Sequence, residues 1–174
     1  MTEEDLIQGC RQQDRQAQRQ LYDRYAPVFF ALCKRYVKTN EDAEDVMVEG
    51  FFKILTRIGQ YSKEGNFEGW MRRIMINESL MFLRKANTQP YTDEIVNMEQ
   101  PDNYNVVEEL AANDILRLLD QLPAGYRTIF NLYVLEGLKH REIAELLNIS
   151  INTSKSQLVL AKRRMQELMG VRNT

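Results

Sequence analysis

The sequence has little of what builds a metal centre or a covalent framework: two cysteines, Cys10 and Cys33, and one histidine, His140, in 174 residues. Two thiols far apart and a lone imidazole supply neither the ligand spacing of a zinc site nor a disulfide network. Both thiols are expected to be buried or incidental. There is no phosphate-binding glycine loop and no HExxH pair, which removes the commonest nucleotide-hydrolysing and zinc-hydrolase chemistries. His140 stands at a helix start, where solvent or a phosphate is its expected neighbour. No enzymatic activity and no cofactor are expected. No apolar run approaches the roughly 20 residues of a membrane-spanning helix, and the N-terminus, MTEEDLIQGCRQQDR, is acidic and polar. The chain is therefore expected in the cytoplasm, without membrane insertion. No internal repeat is visible.

A second scarcity is local. Residues 87–114 contain no lysine or arginine and seven acids, net −7, whereas residues 1–86 are net +1 and residues 115–174 net +4. Alternating sign along one chain suits a large charged assembly engaged at several places better than one small molecule. Within the acidic stretch, residues 87–107 (NTQPYTDEIVNMEQPDNYNVV) carry Pro90 and Pro101 and have the composition of a linker. At about 3.3 Å per residue such a linker reaches on the order of 70 Å when extended. The expected fold is all-α: two small helical domains, 1–86 and 108–174, joined by a flexible acidic linker. The 44% of apolar residues is sufficient for packed helices.

What is abundant is helical periodicity, and its most informative stretch is Lys139 to Arg164, KHREIAELLNISINTSKSQLVLAKRR. Ile143, Ala144 and Leu147 give a short helix an apolar stripe that ends at the Asn148-Ile149-Ser150 corner. Ser150 is a good N-cap for a second helix. Leu158, Ala161, Met165 and Leu168 form the buried stripe of that helix, while Asn152, Lys155, Ser156, Val159 and Arg163 project oppositely, with Lys162 and Arg164 on the flanks. Residues 151–165 carry four cations and no acid. Two helices around a tight turn, the second basic, make a helix-turn-helix whose second helix enters a DNA major groove. Val159, apolar and opposite the core stripe, suits a thymine methyl. A solvated basic face is the plainer alternative.

The remaining elements follow the same logic. Leu21, Tyr25, Phe29, Leu32 and Tyr36 are helically spaced, and Pro27 predicts a break, with a second helix from about 27 to 38. Thr39-Asn40 caps the next helix, whose stripe is Ala43, Met47, Gly50, Ile54 and Ile58 and whose first turns are acidic, as the helix dipole favours. Gly59 to Asn66 is a loop. A helix from Phe67 to Lys85 aligns Phe67, Trp70, Ile74 and Asn77. After the linker, Leu110, Ala111, Ile115, Leu118 and Leu119 define a helix ending at Leu122-Pro123. Tyr126, Ile129, Phe130 and Tyr133 define another, closed by Gly137.

Three segments, DAEDVMVEGFFKIL (42–55), FEGWMRRIMINESLMFLRK (67–85) and LPAGYRTIFNLYVLEGLKHREIAELLNISINTSKSQL (122–158), make the chain resemble the compact bacterial sigma factors of the extracytoplasmic-function (ECF) group over essentially its whole length. The resemblance implies a subunit that brings core RNA polymerase to promoter DNA. It assigns the helix from Asp42 to the polymerase clamp, through Asp45 and Glu49, with Phe52 added because Val48 stands where the family favours glutamine. Gly50 is a second departure there. Asp42 has helix-dipole compensation as an equal alternative.

The resemblance also assigns the loop before Phe67 to a base flipped from the melted minus-ten element, through Tyr61, Ser62, Lys63 and Asn66. Asn66 is equally a helix cap. Arg72, Arg73, Arg84 and Lys85 are phosphate contacts or solvated charges; Trp70 is read as core and Asn77 as a buried structural residue. Met81 replaces a frequent aspartate. The minus-thirty-five element falls to Asn152, Lys155, Ser156, Val159, Lys162 and Arg163, with Gln157 and Leu160 standing where arginine is frequent. The linker would run through polymerase channels built for nucleic acid. An anti-sigma factor, membrane-linked in the family, is the implied inhibitor. A polymerase-independent dimeric regulator and a helical adaptor are the competing functions.

Overall fold

The structure is a computed structural model and describes residues 1–86, 91 and 112–170. Among these residues every regular element is helical, and they fall into two compact units, the first ending at Ala86. The expected linker at 87–107, with Leu110 and Ala111, lies outside the described residues.

Unit 1 contains α1 (Glu3–Arg11), α2 (Arg15–Lys34), α3 (Asn40–Arg57) and α4 (Phe67–Ala86). Each start is set by a side chain that satisfies an orphan backbone N–H. Thr2 and Asp5 form a reciprocal capping box on α1, Asp14 accepts from the Ala17 N–H at 2.8 Å, and Thr39 accepts from the Asp42 N–H at 3.1 Å. The core joins Leu6 and Ile7 of α1, Leu21 and Phe29 of α2, Phe51 and Ile54 of α3, and Phe67, Met71 and Met75 of α4. Tilted aromatic contacts such as Phe29 on Phe51, with centroids 5.8 Å apart, knit the helices together.

The break expected at Pro27 does not occur: α2 runs unbroken from Arg15 to Lys34. Pro27 is exposed, so the carbonyl it leaves unbonded faces water, while Ala17, Leu21, Tyr25, Phe29 and Leu32 are buried on the opposite side. Large side chains contribute about 1.5–3 kcal/mol each when fully buried. Together they outweigh the roughly 3 kcal/mol cost of an interior proline. The helix also stops before residue 38, and Tyr36 and Val37 turn into the core beyond its end. The stripe expected on α4 shifts as well. Phe67 is buried, Trp70 and Ile74 are half-buried and Asn77 is exposed; Met71, Met75, Ser79 and Leu80 face the core instead.

Cys10 and Cys33 are buried free thiols, each pushed up to about 11 chiefly by burial. A thiol so disfavoured as thiolate is a packing group.

Unit 2 contains α5 (Ala112–Gln121), α6 (Ala124–Phe130), a π turn (Asn131–Leu135), α7 (His140–Leu147) and α8 (Ile151–Leu168). Ile115, Leu119, Leu122, Phe130, Ala161 and Met165 form its core, with Leu118, Tyr126 and Leu168 packed at the margin. Gly137, at φ +72°, makes the reversal before α7 as expected. Tyr133 does not join the core stripe. The π turn inserts an extra residue into the helical repeat, and this leaves Tyr133 at the surface.

Candidate nucleic-acid interface

The helix-turn-helix is built from its corner outward. Asn148 closes α7 in the left-handed conformation at φ 55°, ψ 49°, which asparagine tolerates, and the Ile149 N–H donates to the Ala144 carbonyl at 3.1 Å. Ser150 then caps α8, accepting from the Thr153 N–H at 3.0 Å. With Ile143, Ala144 and Leu147 buried beneath, Leu158, Ala161 and Met165 anchor α8 by one face. Asn152, Lys155 and Arg163 are exposed on the other, and Ser156, Val159 and Lys162 are half-exposed. Ser156 donates its hydroxyl proton to the Asn152 carbonyl at 3.0 Å, so toward a partner it presents acceptor lone pairs. Asn152, Lys155, Ser156, Val159 and Arg163 thus share the side of α8 that faces away from the core, with Lys162 on its flank.

Gln157, which stands where the family frequently has arginine, is fully buried, as is Ser154. Ser154 extends the Leu158–Ala161–Met165 stripe by one turn, a spacing visible in the sequence but hidden by the polarity of serine. His140 is a correction. Its Nδ1 lies 2.8 Å from Ser154 Oγ, and its ring stacks on Tyr133 with centroids 4.5 Å apart. Lys162 Nζ sits 6.0 Å over the same tyrosine, within cation–π range. Burial first, then Lys155 and Lys162, hold the imidazole below its ordinary pKa.

The second site is the loop between α3 and α4. A 3-10 turn at Ile58–Gln60 leads to Tyr61, which is buried rather than presented to a ligand. Its ring lies 5.1 Å from Phe67 and 5.5 Å from Trp70, and its hydroxyl donates to the Gly65 carbonyl at 2.9 Å. Lys63 and Gly65 adopt positive φ, 63° and 93°. Asn66 accepts from the Gly69 N–H at 3.3 Å and so caps α4. Ser62, Lys63 and Asn66 are exposed; Trp70, half-buried, backs the loop. Of the four expected phosphate ligands, Arg73, Arg84 and Lys85 are exposed and Arg72 is half-buried. Arg73 and Arg84 fall on one face of α4 about three turns apart.

A third surface has a different character. Asp45, Val48, Glu49 and Phe52 share the exposed side of α3, opposite Val46, Met47, Gly50 and Phe51. Phe52 is 65% and Val48 51% exposed, an apolar stripe with acidic flanks. Met81 of α4 is exposed beside Lys53, which is paired with Glu78.

A helix-turn-helix whose second helix carries no acid from Ile151 to Met165, together with a second all-helical unit that carries an aromatic-backed loop, defines a two-unit DNA-reading class of protein. The comparisons agree. Sigma-70 region 2 matches residues 21–89 and Sigma-70 region 4 matches residues 112–165. The RNA polymerase sigma factor SigV of Bacillus subtilis is 30% identical, over 79% of this chain and 82% of its own length. The ECF RNA polymerase sigma-E factor of Haemophilus influenzae is 27% identical over 95% and 94%. Among solved structures, the sigma factor RpoE of Bartonella quintana, in complex with the anti-sigma factor NepR, superposes with a TM-score of 0.57 at 22% identity, covering 89% of this chain and 98% of that one. CnrH, in complex with the cytosolic domain of CnrY, gives 0.53 at 17%, covering 97% of each. The chain belongs to the sigma-70 family, in its ECF group of RNA polymerase sigma factors.

Proposed function

We propose that this alternative sigma factor divides promoter recognition between its units: residues 1–86 engage core polymerase and the melted minus-ten element, and residues 108–174 read the minus-thirty-five element. The observation that carries this is the outer face of α8, where Asn152, Lys155 and Arg163 are exposed on a capped and anchored helix with no carboxylate between Ile151 and Met165. Asn152 and Ser156, nearest the helix start, reach base edges; Val159 meets a thymine methyl; Lys155, Lys162 and Arg163 supply phosphate or guanine contacts.

Asp45, Glu49 and Phe52 form the polymerase-facing surface, with Phe52 as the apolar anchor and the acids choosing a basic partner. Ser62, Lys63 and Asn66, backed by Tyr61, take an unpaired base, and Arg72, Arg73, Arg84 and Lys85 hold its backbone. The acidic linker follows the nucleic-acid path through the polymerase. An anti-sigma factor that covers the α3 stripe or the DNA faces would keep the chain silent in the cytoplasm. The paired region 2 and region 4 matches leave a polymerase-independent regulator unsupported.

The test is transcription by purified core enzyme with the full chain on a promoter library. Lys155→Glu and Arg163→Glu should each lower minus-thirty-five affinity about ten-fold and reduce the salt slope by about 1 per lost phosphate contact. Unchanged start-site selection by both variants would contradict the assignment.

A further inference from the structure

Arg11, the last residue of α1, reaches into the loop that precedes α4. Its Nη2 donates to the Tyr61 carbonyl at 2.7 Å and its Nε to the Ile58 carbonyl at 3.5 Å, so one half-buried guanidinium ties both ends of the 3-10 turn. At the other end of the same helix, Glu4 Oε1 lies 2.6 Å from Lys63 Nζ, at the loop tip, and accepts from Gln8 at 3.1 Å. The base of α1 is closely packed. Leu6, Ile7 and Cys10 are buried, and Gly9 sits so close to α2 that a Cβ there would fall 2.4 Å from that of Ala17.

The loop is therefore pinned from two sides: Tyr61 is held by Phe67 and Trp70 behind it and by Arg11 beside it, while the side-chain oxygen of Asn66 caps α4. Ser62, Lys63, Glu64 and Asn66 are exposed, and Lys63 has a carboxylate partner. Both members of that pair are 53% exposed. Such a pair is weak, and the phosphate of a nucleic-acid strand displaces a weak partner readily.

We propose that α1 belongs to the strand-reading apparatus of unit 1, with Arg11 as a positioning residue that sets the loop's shape and Glu4 as a displaceable counter-ion that parks Lys63 until a single-strand phosphate replaces it. This rests on the assignment of Ser62 to Asn66 to the melted minus-ten element. It adds a helix outside the residues matched to Sigma-70 region 2, which begin at 21. Glu4 and an incoming phosphate compete for one ammonium, so removing the carboxylate favours the strand.

The experiment uses the full chain assembled with core polymerase, and measures binding of a single-stranded oligonucleotide carrying the minus-ten strand of a promoter that this holoenzyme transcribes. Each base of the strand is replaced in turn. Glu4→Gln should raise affinity about two- to five-fold, the range of an exposed pair, and the gain should vanish when Lys63→Gln is already present. Arg11→Lys keeps the charge but not the guanidinium fork. It should flatten the preference among bases about ten-fold, as a loosened supporting shell does, with duplex minus-thirty-five binding unchanged. Because Arg11→Ala risks unfolding, Arg11→Lys is the variant to interpret, with its thermal midpoint measured alongside. If Lys63→Gln weakens binding while Glu4→Gln and Arg11→Lys change nothing, the loop assignment stands and the role of α1 is overturned. If Lys63→Gln, Ser62→Ala and both α1 variants are all silent, the loop assignment fails and the proposal with it.

Discussion

At the scale of single residues, His140 carries the clearest pH signature. It is half-buried, stacked on Tyr133 of the π turn and bonded to Ser154 of α8, and the charges facing it from α8 are the cations Lys155 and Lys162. Burial and those lysines lower its pKa from the ordinary value of 6.5, so the folded chain favours the neutral ring. Below that value the unfolded chain binds the proton more readily, and stability is lost as pH falls through the folded pKa. The urea midpoint should drop between about pH 7.5 and about pH 5.5, a window above the ordinary carboxylate range, and His140→Gln should lessen that drop. Equal pH dependence of the two proteins would contradict the linkage. The residues of this site were unequally legible in the sequence. Asn152, Lys155 and Arg163 were visible because a strongly polar or charged residue opposite an apolar stripe has one place to go. Ser154, Gln157 and Tyr61 were not, because burial of a polar or amphipathic side chain depends on partners from other elements: His140 for Ser154, and Phe67, Trp70 and Gly65 for Tyr61.

At the scale of elements, α2 shows how tertiary packing overrides a local breaker. Pro27 lacks the N–H that would bond the Asp23 carbonyl, yet both residues are exposed and the helix continues. Proline's cost is local and on the wet side; the stabilisation from Leu21, Tyr25, Phe29 and Leu32 is spread along the dry side. Pro27→Ala should then raise the stability of the chain by about 1–3 kcal/mol, the interior-proline cost less the conformational entropy regained by the unfolded chain. Urea unfolding measures it, and a destabilised variant would mean that the ring is held by contacts of its own. The other boundaries were legible wherever a cap announced them, at Thr39, Asn148 and Ser150, since one side chain and one orphan N–H settle the matter locally. The α4 stripe was not: helical spacing allowed either Trp70–Ile74–Asn77 or Met71–Met75–Ser79 to face inward, and only the packing of α3 and α2 against α4 chooses.

At the scale of the whole molecule, the partition of charge is the organising fact, and composition alone revealed it. Residues 115–174 carry net +4 and residues 87–114 net −7 on one chain of net −2. Covalent linkage gives the acidic stretch a high effective concentration around any basic face of its own chain, so it is expected to compete with DNA for the proposed contacts Lys155, Lys162 and Arg163 in the free protein. On the proposed nucleic-acid path through the polymerase, the same stretch would meet surfaces built for a polyanion, which would relieve that competition. Replacing its seven acids by their amides should therefore move two affinities in opposite directions. Binding of the free chain to duplex minus-thirty-five DNA should strengthen on the order of ten-fold at about 50 mM salt, and the gain should shrink toward about 200 mM as screening sets in. Association with core polymerase should weaken over the same range. Fluorescence anisotropy with labelled DNA and with labelled core enzyme measures both. If both affinities strengthen together, the acidic stretch is a general repellent, and its place along the polymerase's nucleic-acid path is ruled out.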